Sequence, residues 1–224
     1  MNRVSKNMTS KNTKRDVILL IFLLVFIILF IISSIKVIIY VRNGKKDEKV
    51  LEDIFKDIII EKEATEEDTE ILTYKIDFDS LKQKNSDTIG YLKVNGTDIA
   101  QIVVKAKDNS YYLWHNFEKQ TNSAGWIFAE YHNEFDGNDK NIIIYGHNMR
   151  NGTMFASLKN ILTEEWIENE ENRFIIFITE EGESIYEVFS VYEIEAEDYY
   201  MKTSFKDGEF KKYANAMKKR SIYN

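Results

Sequence analysis

The chain has 224 residues, a formal net charge of −7, no Cys and no Pro. Lacking Cys, these residues offer no disulfide, no thiolate metal ligand and no cysteine nucleophile. Nine Lys/Arg against Asp16 give residues 1–46 a net +8, which leaves −15 for residues 47–224; an acidic globular part has the wrong sign for a phosphate backbone, so nucleic acid is not expected as a partner.

Residues 1–16 read as a basic cytoplasmic tail, and Val17 to Ile32 is an unbroken run of sixteen apolar residues. A helix of that length spans only about 24 Å, but carried on to Val41 it reaches about 37 Å, enough to cross a roughly 30 Å hydrocarbon core with tilt. Residues 17–41 are therefore predicted to form a transmembrane helix, with Lys36 snorkelling to the headgroups. A cleaved signal peptide would end its apolar core at a small-x-small site, whereas Lys36–Val–Ile–Ile–Tyr–Val41 follows here, which favours an uncleaved anchor. Arg3, Lys6, Lys11, Lys14 and Arg15 place the N-terminus in the cytoplasm and the remainder outside, although Arg42, Lys45 and Lys46 lie on the far flank.

Residues 42–70 are expected to be a juxtamembrane helix followed by an acidic linker. Val50/Leu51, Ile54/Phe55 and Ile58/Ile59 form one apolar stripe, suited to packing on the domain that follows. Glu61–Glu70 is the solvated linker. From residue 71 to 224 strands dominate. Thr88–Val94, an Asn95–Gly96 turn and Asp98–Lys105 predict a hairpin, Gly125–Tyr131 a third strand and Asn141–Tyr145 a fourth. Short helices follow at Thr153–Asn160 and Thr163–Glu168. A second hairpin is expected from Arg173–Thr179 and Ser184–Ile194 about Glu181–Gly182, then a helix over Asp207–Arg220. The pattern is that of a mostly β barrel or sandwich with peripheral helices.

The stretch Asn141–Ile–Ile–Ile–Tyr–Gly–His–Asn–Met149 stands out. A buried strand ending in Gly146–His147 presents an imidazole at a strand terminus, held by the scaffold and open to the loops, where proton-transferring groups commonly sit. A lone His is more often structural, so the surrounding residues carry the argument. His115, among Tyr112, Trp114 and Phe117, reads as a packed or hydrogen-bonded structural His, and His132 as an exposed strand end. Three His so spread form no metal-ligand pattern. Among the carboxylates Glu130, Asp136 and Asp139, one is a candidate to orient the imidazole.

Several groups of residues, taken together in order, resemble a class B sortase. They are Thr88–Ile–Gly–Tyr–Leu–Lys93, Val103–Lys105, Lys107–Leu113 with His115–Phe117, Gly125–Phe128, Ile143–Met149, Gly152–Phe155 and Phe189–Tyr192, with the long helix near Asp207–Arg220 pointing to class B. The resemblance spans roughly residues 50–224. It implies a sortase-like β-barrel and a membrane-anchored cysteine transpeptidase on the outer face of a Gram-positive cell. Such an enzyme cleaves the C-terminal sorting signal of a surface protein after Thr and joins it to an amine of peptidoglycan or its precursor, with no cofactor and no metal.

The family's catalytic His corresponds to His147. Its Cys and Arg, on the last two strands, have no counterpart, so the reading expects a C-terminally truncated barrel that is inactive as it stands and aggregation-prone over residues 47–224. The alternative is a non-catalytic, membrane-anchored sortase-like binding protein. Asn109 and Leu113 match positions lining the peptide groove, and Tyr200 and Met201 match the loop before the long helix; core and loop packing competes for all four. Gln101 stands where the family usually has Pro.

Overall fold

The computed structural model describes residues 2–56, 58–64, 70–195 and 201–223. The chain divides into two units, 1–48 and 49–224. A long helix, α1 (Asn2–Phe55), begins in the first. From Arg15 onward it is long and apolar enough to cross a membrane, and its side chains from Val17 to Ile32 are all exposed. A segment of this kind near an N-terminus serves as a membrane anchor or as a signal sequence.

In the second unit the end of α1 turns apolar side chains inward. Val50 and Ile54 join the core and Leu51 packs against it, while Phe55 stays exposed. The expected helical stripe stops there. Ile58 and Ile59 belong instead to a strand, β1 (Ile58–Ala64), paired antiparallel with β2 (Glu70–Ile76), Ile58 opposite Ile76 and Ala64 opposite Glu70. The acidic stretch expected as a linker is thus in part a hairpin, whose pairing joins residues too far apart for local periodicity to register; residues 65–69 of that stretch lie outside the described residues.

A short helix, α2 (Phe78–Lys84), follows, capped by Asp77, whose carboxylate accepts the Ser80 N–H at 2.9 Å. The remaining strands are β3 (Thr88–Val94), β4 (Ala100–Val104), β5 (Phe128–Ala129), β6 (Ile144–Tyr145), β7 (Phe174–Thr179) and β8 (Gly182–Glu187). They form one sheet in the order β6-β5-β4-β3-β7-β8, with β4–β5 parallel and the other pairs antiparallel. Tyr91, Ile102, Val103, Val104, Trp126, Ile127 and Phe128 lie at the centre of the core. The helices α3 (Glu164–Glu168) and α4 (Glu209–Lys218) complete the unit. The architecture is mostly β, a curled half-barrel sheet with helices, as expected.

Three expected strands are shorter than their apolar runs, the one expected over Gly125–Tyr131 being reduced to Phe128–Ala129. Around β6 the fully buried Asn133 does a strand's work: its Oδ1 accepts the Ile143 N–H at 3.0 Å and its Nδ2 donates to the Asn141 carbonyl at 2.8 Å. Ladder pairing then survives only at Phe128–Tyr145 and Ala129–Ile144. The strand expected over Ser184–Ile194 likewise ends at Glu187. Beyond it the chain turns to the end of α4: the Ile222 N–H donates to the Val191 carbonyl at 2.8 Å, and Ser190 Oγ to the Met217 carbonyl at 2.7 Å.

Candidate functional site

His147 lies two residues beyond the end of β6 and is half-buried. The return loop behind it is compact. The His147 carbonyl accepts the Phe155 N–H at 2.9 Å, and Asn148 bridges to Met154. Gly146 makes room for this closure, since a Cβ there would stand 2.7 Å from the Phe155 ring. The Gly152 turn, at φ +86°, needs a residue without a side chain.

The orientation of the imidazole comes from the backbone. Nδ1 of His147 lies 3.1 Å from the Ala124 carbonyl oxygen. A carbonyl only accepts, so Nδ1 is the protonated nitrogen of the neutral ring, and Nε2 is left as the nitrogen that exchanges protons with a ligand. None of Glu130, Asp136 or Asp139 supplies this contact. Asp139 accepts the Glu134 and Phe135 N–H groups, Asp136 caps Asn138, and Glu130 is engaged elsewhere.

Ala124 is itself fixed. Its N–H donates to Asn122 Oδ1 at 2.9 Å, and the Gly125 N–H donates to the Asn122 carbonyl at 3.1 Å. Gly125 sits at φ +58° so close to the Tyr112 carbonyl that an added Cβ would be 2.3 Å away. The same buried Asn122 donates its N–H to the Trp114 carbonyl at 2.7 Å. Trp114 thereby stands beside the imidazole, ring centroids 6.3 Å apart and tilted by 54°, with 57% of its surface exposed. An exposed indole next to an imidazole whose Nε2 has no partner among the described residues makes an amphipathic wall for a ligand.

The loop carrying Trp114 is braced from below. Buried Asn85 donates to Tyr112 Oη at 2.9 Å and to the Phe117 carbonyl at 2.8 Å, and Tyr112 donates to Asp87 Oδ2 at 2.7 Å. Burial pushes the Tyr112 phenol far above its ordinary range, so it remains a donor. Leu113 ends the single 3-10 turn of Tyr111–Leu113 and is half-buried against the core. His115 stacks on Tyr111 at 4.2 Å and its Nδ1 bonds the Tyr111 carbonyl at 2.8 Å, a packing role.

Asn109 is tied to the other side of the site. Its Nδ2 donates to Glu130 Oε2, which also accepts from Tyr145 Oη at 2.8 Å, and its Oδ1 accepts the Tyr131 N–H at 3.1 Å. Burial pushes the Glu130 carboxyl up, but the hydrogen bonds from Tyr145, His132 and Asn109 outweigh it and hold the group below the ordinary carboxylate range. Met201 is exposed, one residue before Lys202, whose carbonyl accepts Asn141 Nδ2 at 2.9 Å. Tyr200 lies outside the described residues.

The structure thus sets His147 against the Ala124 carbonyl and beside Trp114, ties Asn109 to β6 through Glu130 and Tyr145, and hangs the Met201 loop on Asn141, just before that strand. Ala124, Trp114 and Tyr145 were not among the site residues expected from sequence, and Glu130 was expected there only as a candidate to orient the imidazole. Gly125 and a carboxylate inside an apolar run were the only local signals.

A model of the sortase domain matches residues 92–220, more than half of the chain. Sortase B of Listeria monocytogenes is 38% identical over 146 residues, which are 64% of this chain and 58% of that protein, so the chain spans less than two thirds of that relative's length. A Bacillus anthracis protein similar to sortase B superposes with a TM-score of 0.68 at 31% identity, over 83% of each chain. Staphylococcus aureus sortase B, solved as a substrate complex, does so with a TM-score of 0.61 at 32% identity, over 66% of this chain and 68% of that one.

Proposed function

The chain belongs to the sortase family, and from that premise we propose that it serves a class B transpeptidase reaction at the outer face of a membrane. Residues 17–41 are the single-pass anchor, with the N-terminus cytoplasmic, and residues 71–224 are the sortase-like domain. The substrate is the C-terminal sorting signal of a surface protein, and the acceptor is an amine of peptidoglycan or its precursor.

One observation supports this reading above the others: Nδ1 of His147 is spent on the Ala124 carbonyl at 3.1 Å, which leaves Nε2 beside the exposed Trp114. In the reaction a thiolate attacks the carbonyl of Thr in the sorting signal. The C–N bond breaks as protonated Nε2 of His147 gives its proton to the departing amine, and a guanidinium steadies the oxyanion. The resulting thioester is then opened by the acceptor amine, whose proton returns to Nε2. By accepting from Nδ1, the Ala124 carbonyl fixes the direction in which Nε2 points.

These 224 residues contain no Cys, so they do not supply the thiol. That observation favours a second reading, a membrane-anchored sortase-like protein that binds sorting peptides or wall precursors without acylation. A chimera extended by the Cys- and Arg-bearing strands of the Listeria relative separates the two. On the catalytic reading it forms a thiol-dependent acyl-enzyme with a Thr-containing sorting peptide, visible by mass, and His147→Ala slows its formation by about 10²–10⁴-fold. An acylation rate unchanged by His147→Ala overturns the role given to His147. Peptide binding with no acyl-enzyme supports the binding protein.

A further inference from the structure

Glu130 is buried to 3% exposure and ionised, yet the reaction described above makes no use of it. A carboxylate is retained in such a place only when its oxygens are fully engaged. Here the donors come from separate parts of the chain: Asn109 Nδ2 before the 3-10 turn, Tyr145 Oη on β6 at 2.8 Å, and His132 Nδ1 just past β5 at 2.8 Å.

We propose that Glu130 is a positioning residue of the peptide groove, its buried carboxylate clamping the Asn109 amide and the Tyr145 hydroxyl together and so fixing the loop of Leu113 and Trp114 against the strand of His147. The proposal rests on the reading that a sorting peptide binds at this site.

The chemistry of the donors fixes the clamp's geometry. The Tyr131 N–H only donates, so Asn109 Oδ1 must face it, which turns the Asn109 NH2 toward the carboxylate. Among the described residues, one N–H of that NH2 and one lone pair of Oδ1 have no partner, which is the complement of an extended peptide's C=O and N–H. Glu130 Oε2 receives both groups that belong to the site, Asn109 and Tyr145, whereas Oε1 receives only His132.

That division predicts which substitutions matter. In Glu130→Gln the remaining oxygen can stay on the Asn109–Tyr145 side while the new NH2 faces His132, whose Nδ1 accepts in its other tautomer, and only the long 3.4 Å bond from the His132 N–H is given up. Glu130→Ala loses both bonds of the site. A purely structural role gives no reason for the amide to rescue peptide binding.

The test uses the full chain, 15N-labelled in detergent micelles, titrated with a synthetic Thr-containing sorting peptide. Wild type and Glu130→Gln are expected to bind alike. Glu130→Ala should bind about tenfold more weakly, with the Asn109 side-chain amide signal displaced and the indole signals of buried Trp126 and Trp166 unmoved. Binding by Glu130→Ala within about twofold of wild type overturns the proposal and leaves the proposed function standing. A wild-type chain that binds no peptide overturns both. Should Glu130→Ala lose its Trp126 and Trp166 signals, Tyr145→Phe decides. It removes a single hydroxyl, and the proposal requires it to weaken binding and to shift the Asn109 amide; unchanged binding and an unshifted amide overturn it.

Discussion

At the scale of single residues the site depends on backbone groups held where side chains cannot substitute. Gly125 combines φ +58° with a Cβ position 2.3 Å from the Tyr112 carbonyl. Gly125→Ala is therefore expected to cost about 1–3 kcal/mol and to displace the Ala124 carbonyl from His147. Denaturant unfolding measures the first effect and the His147 ring signals the second; a variant as stable as wild type with unchanged signals contradicts the close packing described. Glu130 gives a pH-dependent prediction. Its folded-state pKa lies below the ordinary value of 4.5, so ionisation stabilises the fold above pH 4.5 and the contribution is lost as pH falls below it. Glu130→Gln removes this titration. Its stability should fall less steeply than wild type as pH drops below 4.5, read by denaturant unfolding, and parallel curves contradict the depressed pKa.

At the scale of elements the loop of residues 108–117 behaves as a platform built on Asn85, whose Nδ2 serves both Tyr112 and Phe117 and whose Oδ1 accepts the Asp87 N–H at 2.9 Å. Asn85→Ala removes all three bonds, leaving Tyr112 Oη only its bond to Asp87, and should cost about 1–3 kcal/mol by thermal or chemical unfolding. Element identity was largely legible in sequence. Alternation marked β3 and β4, the Glu181–Gly182 turn marked the β7–β8 hairpin, and one apolar face marked α4. Lengths were less legible, because the buried side chain of Asn133 satisfies backbone at 141 and 143 that a strand partner would otherwise serve. The β1–β2 hairpin was missed because paired apolar residues at 50/51, 54/55 and 58/59 fit a helix, and only pairing with residues 70–76 makes 58–64 a strand. In the site, a Gly-His at a strand end is a readable signal. The group that orients it, the Ala124 carbonyl, is not, since every residue has one and only the fold decides which carbonyl meets the ring.

At the scale of the whole molecule, the six-stranded sheet ends in β8, every residue of which is exposed, including Ile185 at 61% and Tyr186 at 45%. An exposed edge strand carrying Ile185 and Tyr186 invites pairing between copies. Residues 49–224 alone should aggregate, and Ile185→Lys should raise their solubility in a sedimentation assay; equal solubility contradicts edge pairing as the cause. The functional account as a whole turns on the free nitrogen of one imidazole. Long-range proton–nitrogen correlation of the His147 ring in the full chain reads it directly. The account predicts a neutral ring with its hydrogen on Nδ1, donated to Ala124, and a bare Nε2; a neutral ring carrying its hydrogen on Nε2 would contradict it.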